Sequence, residues 1–257
     1  MITAALQGGL GNQMFQIAAA SSLAWHHDDI AKFNLDNHYL PLQGRNISNY
    51  VDNVFRGVDF TGPFNISTLY KEPQHSYVKI PYQKDLMIHG YFQSEKYFKD
   101  HSAQIRELFS APRVVVDDMM ERYGDHVGPE VASIHVRRGD YLKFQDIHPL
   151  CTKEYYREAM SRLSPSTRYL IFSDDVEWCL RNFKMKNFKV IEGEADYIDM
   201  YLMSLCGTNI IANSSFSWWS AWLNPYSEKK IFAPLVWFGP KGPREVEDLV
   251  PESWERI

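Results

Sequence analysis

The sequence predicts an α/β protein made of two Rossmann-like domains that face one another across a cleft. Three observations predict it. From Val131 onward short β-branched runs alternate with helix-period runs; the chain opens with the same strand, turn, helix order; and polar residues gather where predicted strands end, while strand interiors stay apolar.

The 257 residues, 45% hydrophobic and 14% aromatic, suffice for one large domain or two small ones, each with a core. A net charge of -5 argues against a nucleic-acid binder, so any anion site must be local. No run approaches the roughly 18 to 20 apolar residues of a membrane span, and no basic stretch precedes an apolar one at Met1. The expectation is a protein without an integral membrane segment, either free in the cytoplasm or peripheral at a membrane. Cys151, Cys179 and Cys206 are odd in number and lie in apolar or helical settings, which predicts reduced core thiols. Without a secretory signal, the sequons at Asn46, Asn65 and Asn213 are read as coincidence.

In chain order, Ile2 to Leu6 reads as a strand, Gly8, Gly9 and Gly11 as a turn, and Gln13 to about Trp25 as a helix. From about Lys32 to Asp85 the pattern fades, broken by Pro41, Pro63, Pro73 and Pro81. DLMIHGYFQS (85–94) reads as a strand and SAQIRELFS (102–110) as a helix. The expected boundary lies near 125–130, in YGDHVGPE, dividing an N-terminal α/β domain (1–130) from a C-terminal Rossmann-like one (131–257). In the second domain the strands are VASIHV, RYLIFS, FKVIEG, TNIIAN and KKIFAP. The helices between them are KEYYREAMSRL, DVEWCLRNF, YIDMYLMSLC and SFSWWSAWL. Five strands separated by four helices predict a parallel sheet covered on both faces, whose ligand binds beyond the carboxyl ends of the strands.

Four strand ends carry polar loops: QGGLGN, RRGDY, SDD and NSS. Arg137 and Arg138 follow a strand directly, so they point to opposite sides and one reaches into the site. A guanidinium there suits phosphate; the alternative is a surface arginine beside a structural one paired with Asp140. Ser214 and Ser215 open a helix, either as an ordinary cap or as part of an anion site. Asp174 and Asp175 end a strand, one placed as a helix cap, or alternatively as an acceptor for guanine. Trp218, Trp219 and Trp222 lie at helical spacing and read as core rather than a sugar platform. His26 to Asp29 reads as a solvated or capping run. QGGLGNQ fails the dinucleotide fingerprint at Met14, and no P-loop, HExxH, paired CxxC, strict DxD or GxSxG run occurs. With arginines and helix N-termini to take up phosphate charge, no metal is expected.

Taken together, GGLGNQMFQ (8–16), GYFQSEKYF (90–98), HVRRGDYL (135–142), FSDD with Trp178, and NSSFSWWSAWLN (213–224) resemble the α-1,2-fucosyltransferases of glycosyltransferase family 11 over nearly the whole chain. The resemblance implies a GT-B-like fold, GDP-fucose as donor, inversion at the fucose anomeric carbon, the 2-hydroxyl of a terminal galactose in a glycan as acceptor, and no metal or other cofactor. Carried over by motif position, it implies that His135 and Arg137 contact the nucleotide, with Arg137 on the β-phosphate as the main catalytic group. Arg138 and Asp140 would brace that loop. Asp174 would hold the guanine or ribose end, and Ser214, Ser215 and Phe216 would close on the pyrophosphate. Asn12 would lie near the reacting carbon, with Gly9, Leu10 and Gly11 allowing close approach. No general base is visible in the motifs, and the acceptor is expected to meet the irregular 32–85 segment. A fucosyltransferase of another linkage, or a silent GDP-sugar or glycan-binding module, are the alternatives.

Overall fold

The alternation after Val131 folds into a six-stranded, wholly parallel sheet in the order β6-β5-β4-β7-β8-β9. Its strands are β4 (Gly128–Val136), β5 (Arg168–Ser173), β6 (Phe188–Ile191), β7 (Cys206–Ile210), β8 (Lys230–Ala233) and β9 (Glu255–Arg256). The computed structural model describes residues 1–35, 47–62 and 65–257; Pro41, Pro63 and the Asn46 sequon lie outside the described residues. Helices α4 (Lys153–Ser161), α5 (Val176–Asn182), α6 (Asp196–Ser204) and α7 (Ser215–Leu223) connect the first five strands in turn. The order is the doubly wound one: it grows outward from β4 through β5 and β6, then restarts on the other side of β4 with β7. The order of winding reverses between β4 and β7, and that crevice is where such sheets take ligands.

Period-two alternation sorts the residues of β4. Ala132, Ile134 and Val136 join Tyr155, Tyr156 and Ala159 of α4 and Cys179 of α5 in one core cluster. Ser133 and His135 point to the opposite face, where Ser133 accepts a hydrogen bond from Asn209 at 2.8 Å and His135 meets Phe216 of α7. The two phenols of α4 then tie strand ends together: Tyr156 donates to the His135 carbonyl at 3.1 Å, and Tyr155 to the carbonyls of Ile211 and Phe232. Buried hydroxyls with partners of this kind make the carboxyl edge rigid.

The three tryptophans of α7 are core, with Trp218 and Trp219 fully buried and Trp222 nearly so. All three cysteines are free thiols. The two-residue β9 was not legible beforehand, since Glu255 and Arg256 are exposed and join β8 through the backbone.

The other unit holds a three-stranded parallel sheet, β1-β3-β2, formed by β1 (Ile2–Ala4), β3 (Leu86–His89) and β2 (Thr68–Lys71). Helix α1 (Leu10–His26) is buried along nearly its whole length, its Ala18, Ala19 and Ala20 small enough for close approach, and α2 (Ser102–Leu108) follows β3. β2 lies inside the stretch where the pattern fades; its side chains alternate half-buried and exposed, so no apolar run marks it.

The units are residues 1–112 with 245–251, and 113–244 with 252–257. The division therefore falls before α3 (Arg113–Tyr123), not near 130. The reason is that α3 is tied to the second unit: Arg122 pairs with Glu194, and the Tyr123 hydroxyl donates to the same carboxylate. The segment 245–251 returns to the first unit because the Asp248 carboxylate accepts the Tyr77 N–H at 3.0 Å and pairs with Lys96.

Asp199, on α6, is a liability in this fold. Its Oδ1 is buried without a partner among the described residues. Burial, and then the negative Glu194 and Asp196, push its carboxyl up to about 7. The folded protein thus holds this proton more tightly than the unfolded chain does between pH ~4 and 7. Its contribution is intact below that window, and stability declines as pH rises through it. Asp199→Asn is expected to raise unfolding stability at pH 8 by about 2 kcal/mol, with almost no change at pH 4. Urea titrations at the two pH values check this; equal effects at both would sink it.

Candidate active site

Two loop clusters carry the chemistry, one at the carboxyl edge of each sheet. In the larger unit, β4 leaves the sheet at Val136 and the next two side chains diverge. Arg137 pairs with Asp140 and, at 2.8 Å, with Asp174. Arg138 turns the other way: its Nε donates to Asp175 at 2.9 Å and its guanidinium lies 4.6 Å from the Trp178 ring centre. Its backbone N–H donates to Asp174 at 2.8 Å. The Arg138 side chain is 17% exposed and Arg137's 34%, so Arg137 is the more accessible guanidinium.

Asp175 caps α5, accepting the Trp178 N–H at 3.0 Å, and the hydrogen bond from Arg138 holds its carboxyl below the usual range. Asp174 differs from its neighbour in having both oxygens occupied by the arginine loop, one by Arg137 and the other by the Arg138 N–H. A carboxylate engaged twice by the neighbouring loop braces the β4 and β5 loops against each other.

His135 is 6% exposed, its ring 5.5 Å from that of Phe216. Burial, helped by the nearby Arg137 charge, pushes it down to about 3, so the imidazole is neutral at working pH. Its Nδ1 is buried with no partner among the described residues. Positive charge at this edge therefore comes from the arginines, and His135 sits on the α7 side of the sheet rather than out on the loop.

The loops after β4 and β7 are joined to each other. Tyr141 donates to the Asn213 carbonyl at 3.0 Å, and the Asn213 carboxamide donates to the carbonyls of Pro149 and Trp237. Ser214 is the N-cap of α7, its Oγ accepting the Phe216 N–H. Its hydroxyl is thus occupied as a cap, while Ser215 and Phe216 form the first turn, half-buried. A helix N-terminus beside two arginines, at the crevice between β4 and β7, is suited to bind a phosphate group.

In the smaller unit α1 begins at Leu10, three residues earlier than its period suggests, with Gly9 as N-cap. Leu10 and Gly11 are buried in the first helical turn, and Gly9 has no atom within 4 Å of where a Cβ would sit. Gly8 carries the turn, at φ +77, where a side chain would also collide with Asn12. Buried glutamines secure the loop. Gln16 takes the Gln7 N–H and returns a bond to the Gln7 carbonyl, and Gln13 donates to the Gly8 carbonyl. Asn12, partly exposed in the first turn, accepts a hydrogen bond from Gln93 at 2.7 Å.

Sequence reading missed Glu72, at the end of β2. Its carboxylate accepts the N–H groups of Tyr91 at 2.6 Å and Phe92 at 2.9 Å, and burial pushes it up to about 7. No signal marks it: a lone glutamate before Pro73 reads as a solvated loop. Among the described residues no cluster of His, Cys, Asp or Glu suits a metal ion, and no helix is long and apolar enough to cross a membrane.

The profile of glycosyl transferase family 11 matches residues 66–238. The chain is 32% identical to an α-1,2-colitosyltransferase from Escherichia coli, covering 100% of this chain and 99% of that protein. It is 26% identical to a galactoside 2-α-L-fucosyltransferase from Caenorhabditis elegans, over 100% of this chain and 79% of the other. Among solved structures, the NodZ α-1,6-fucosyltransferase soaked with GDP-fucose superposes with a TM-score of 0.52 at 12% identity, covering 87% of this chain and 92% of that one. That is a likeness of fold, and it bears out the GT-B-like class expected from the sequence.

Proposed function

Because the chain belongs to glycosyltransferase family 11 and is a glycosyltransferase, we propose that it transfers L-fucose from GDP-fucose to the 2-hydroxyl of a terminal galactose, with inversion. The observation that carries the donor half is the placement of Arg137. It stands at the carboxyl end of the central strand, held by Asp140 and Asp174, beside the α7 N-terminus and at the crevice between β4 and β7. The 1,2 linkage is supported by the two relatives whose names carry it.

The reaction is a displacement at the sugar. The bond from the anomeric carbon to the β-phosphate oxygen breaks, and its electron pair leaves with GDP. The acceptor oxygen forms the new bond from the opposite face, and its proton passes to a leaving-group oxygen or to water. Charge grows on the β-phosphate as the bond stretches, so a fixed guanidinium and the helix N–H groups lower the barrier more than they stabilise the bound donor. In this reading Arg137 is the catalytic group on the phosphate. Ser214, Ser215 and Phe216 close on the pyrophosphate, His135 shapes the pocket as a neutral ring, Arg138, Asp140 and Asp174 brace it, and Asn12 with Gly9 serves the reacting sugar. The arginines and helix N-terminus take the place of a metal.

The test is GDP release from GDP-fucose with lactose and other galactose-terminated glycans, the product linkage being mapped and the assay repeated with a chelator. An α-1,2 product unaffected by the chelator is expected. A product of another linkage overturns the acceptor half, and GDP binding without turnover on any acceptor would point to a silent module. A second reading, favoured by the 32% relative, is colitosyl transfer; GDP-colitose in the same assay separates the two by relative kcat/KM.

A further inference from the structure

A line of hydrogen bonds in the smaller unit joins His75, Gln93 and Asn12. His75 Nε2 lies 3.1 Å from Gln93 Oε1, and Gln93 Nε2 donates to Asn12 Oδ1 at 2.7 Å. The carboxamides set the directions: a carboxamide oxygen only accepts and its nitrogen only donates, so Gln93 has its oxygen toward His75, which then carries its proton on Nε2. Burial lowers the His75 pKa, in keeping with a neutral ring. With Gln93 Nε2 on its Oδ1, the Asn12 carboxamide is fixed in orientation, its oxygen toward Gln93 and its donor Nδ2 turned the other way.

Gln93 is itself held in place at a cost. It is 7% exposed and follows Phe92, which has φ +51, a left-handed conformation uncommon for a bulky residue. The Glu72 carboxylate secures that conformation by taking the N–H groups of both Tyr91 and Phe92. Strained backbone kept by a half-buried carboxylate marks a loop whose purpose is to place something. The side chain it places is Gln93.

We propose that Gln93 is a positioning residue for the transfer reaction, orienting the Asn12 carboxamide as a hydrogen-bond donor toward the reacting sugar or its leaving oxygen. This rests on the reading that Asn12 serves the reacting centre. Gln93→Glu keeps the shape but sets an acceptor against Asn12 Oδ1, and Gln93→Met removes the bond without adding charge. Both are expected to lower kcat by about 10- to 100-fold, the scale of a misplaced catalytic contact. The KM for donor and the affinity for GDP alone should move by less than about twofold, because neither depends on a contact that acts in the transition state.

The decisive measurement is a cycle with Asn12→Ala. If Gln93 acts through Asn12, either Gln93 variant costs almost nothing further in the Asn12→Ala background. Losses that multiply, or Gln93 variants with normal kcat beside an impaired Asn12→Ala, overturn the proposal and leave Asn12 its role. Full turnover by Asn12→Ala overturns the proposal together with the reading it rests on. Thermal melts identify a variant that fails to fold, and the methionine variant then carries the test if the glutamate one does not fold.

Discussion

Replacing Arg137 by alanine is expected to lower kcat for transfer by about 100- to 1000-fold while the protein stays folded. The magnitude follows from what the residue does when the sugar leaves. A guanidinium already fixed between Asp140 and Asp174 needs no reorganisation as charge appears on the β-phosphate, and a preorganised donor is worth most at that moment. Retained folding follows from exposure: the side chain is 34% exposed, and exposed ion pairs contribute little to stability, about 0 to 1 kcal/mol. Arg137→Lys keeps the charge but lacks the planar fork that holds two carboxylates and still offers further N–H groups, so it should recover only part of the loss. Arg138→Ala is the contrast. It removes the partner of the α5 cap and the group stacked on Trp178, so its first effect should be on the melting temperature. Near-normal turnover of Arg137→Ala at saturating donor would falsify the assignment.

Gly207→Ala is expected to destabilise the larger unit by about 3 kcal/mol, a cost at the upper end of overpacking substitutions. Gly207 lies in β7, where a Cβ would run into the backbone of Pro129, within 2.6 Å of its carbonyl carbon and 2.8 Å of its Cα, and onto its carbonyl oxygen. Backbone cannot swing aside as a side chain can. The register between β4 and β7 already shifts between Gly128 and Ala132, so the seam is irregular at this point. Separating these strands would disturb the two loops that hang from them, RRGDY and NSS, which Tyr141 and Asn213 join. The expected signature is a lower urea midpoint with unchanged slope, and reduced GDP affinity. An unchanged midpoint would mean that the seam yields without cost.

Glu72 shows where reading a sequence stops. Its neighbours Lys71 and Pro73 are exposed, and nothing local separates it from a solvated turn. It acts because Tyr91 and Phe92, about twenty residues away, bring their N–H groups to it. His135 is the converse. The motif marks it, but only the position of α7 sets its ring beside Phe216 and buries it. The divergence of Arg137 and Arg138 was legible because alternation along an extended chain is a local rule.

What the sequence determined by itself was the type of the strands and helices other than β2, α3 and β9, the parallel character of the larger sheet, and the four polar loops at strand ends, since periodicity and loop chemistry reside within a few consecutive residues. Tertiary structure alone decided which strands are neighbours. It thereby placed the crevice between β4 and β7, joined α3 to the second unit, and returned 245–251 to the first. It also decided the partners of Asp174, Glu72 and Gln93. Those contacts link residues far apart in the chain, and they exist only once burial has brought the groups together and excluded the water that would otherwise take their hydrogen bonds.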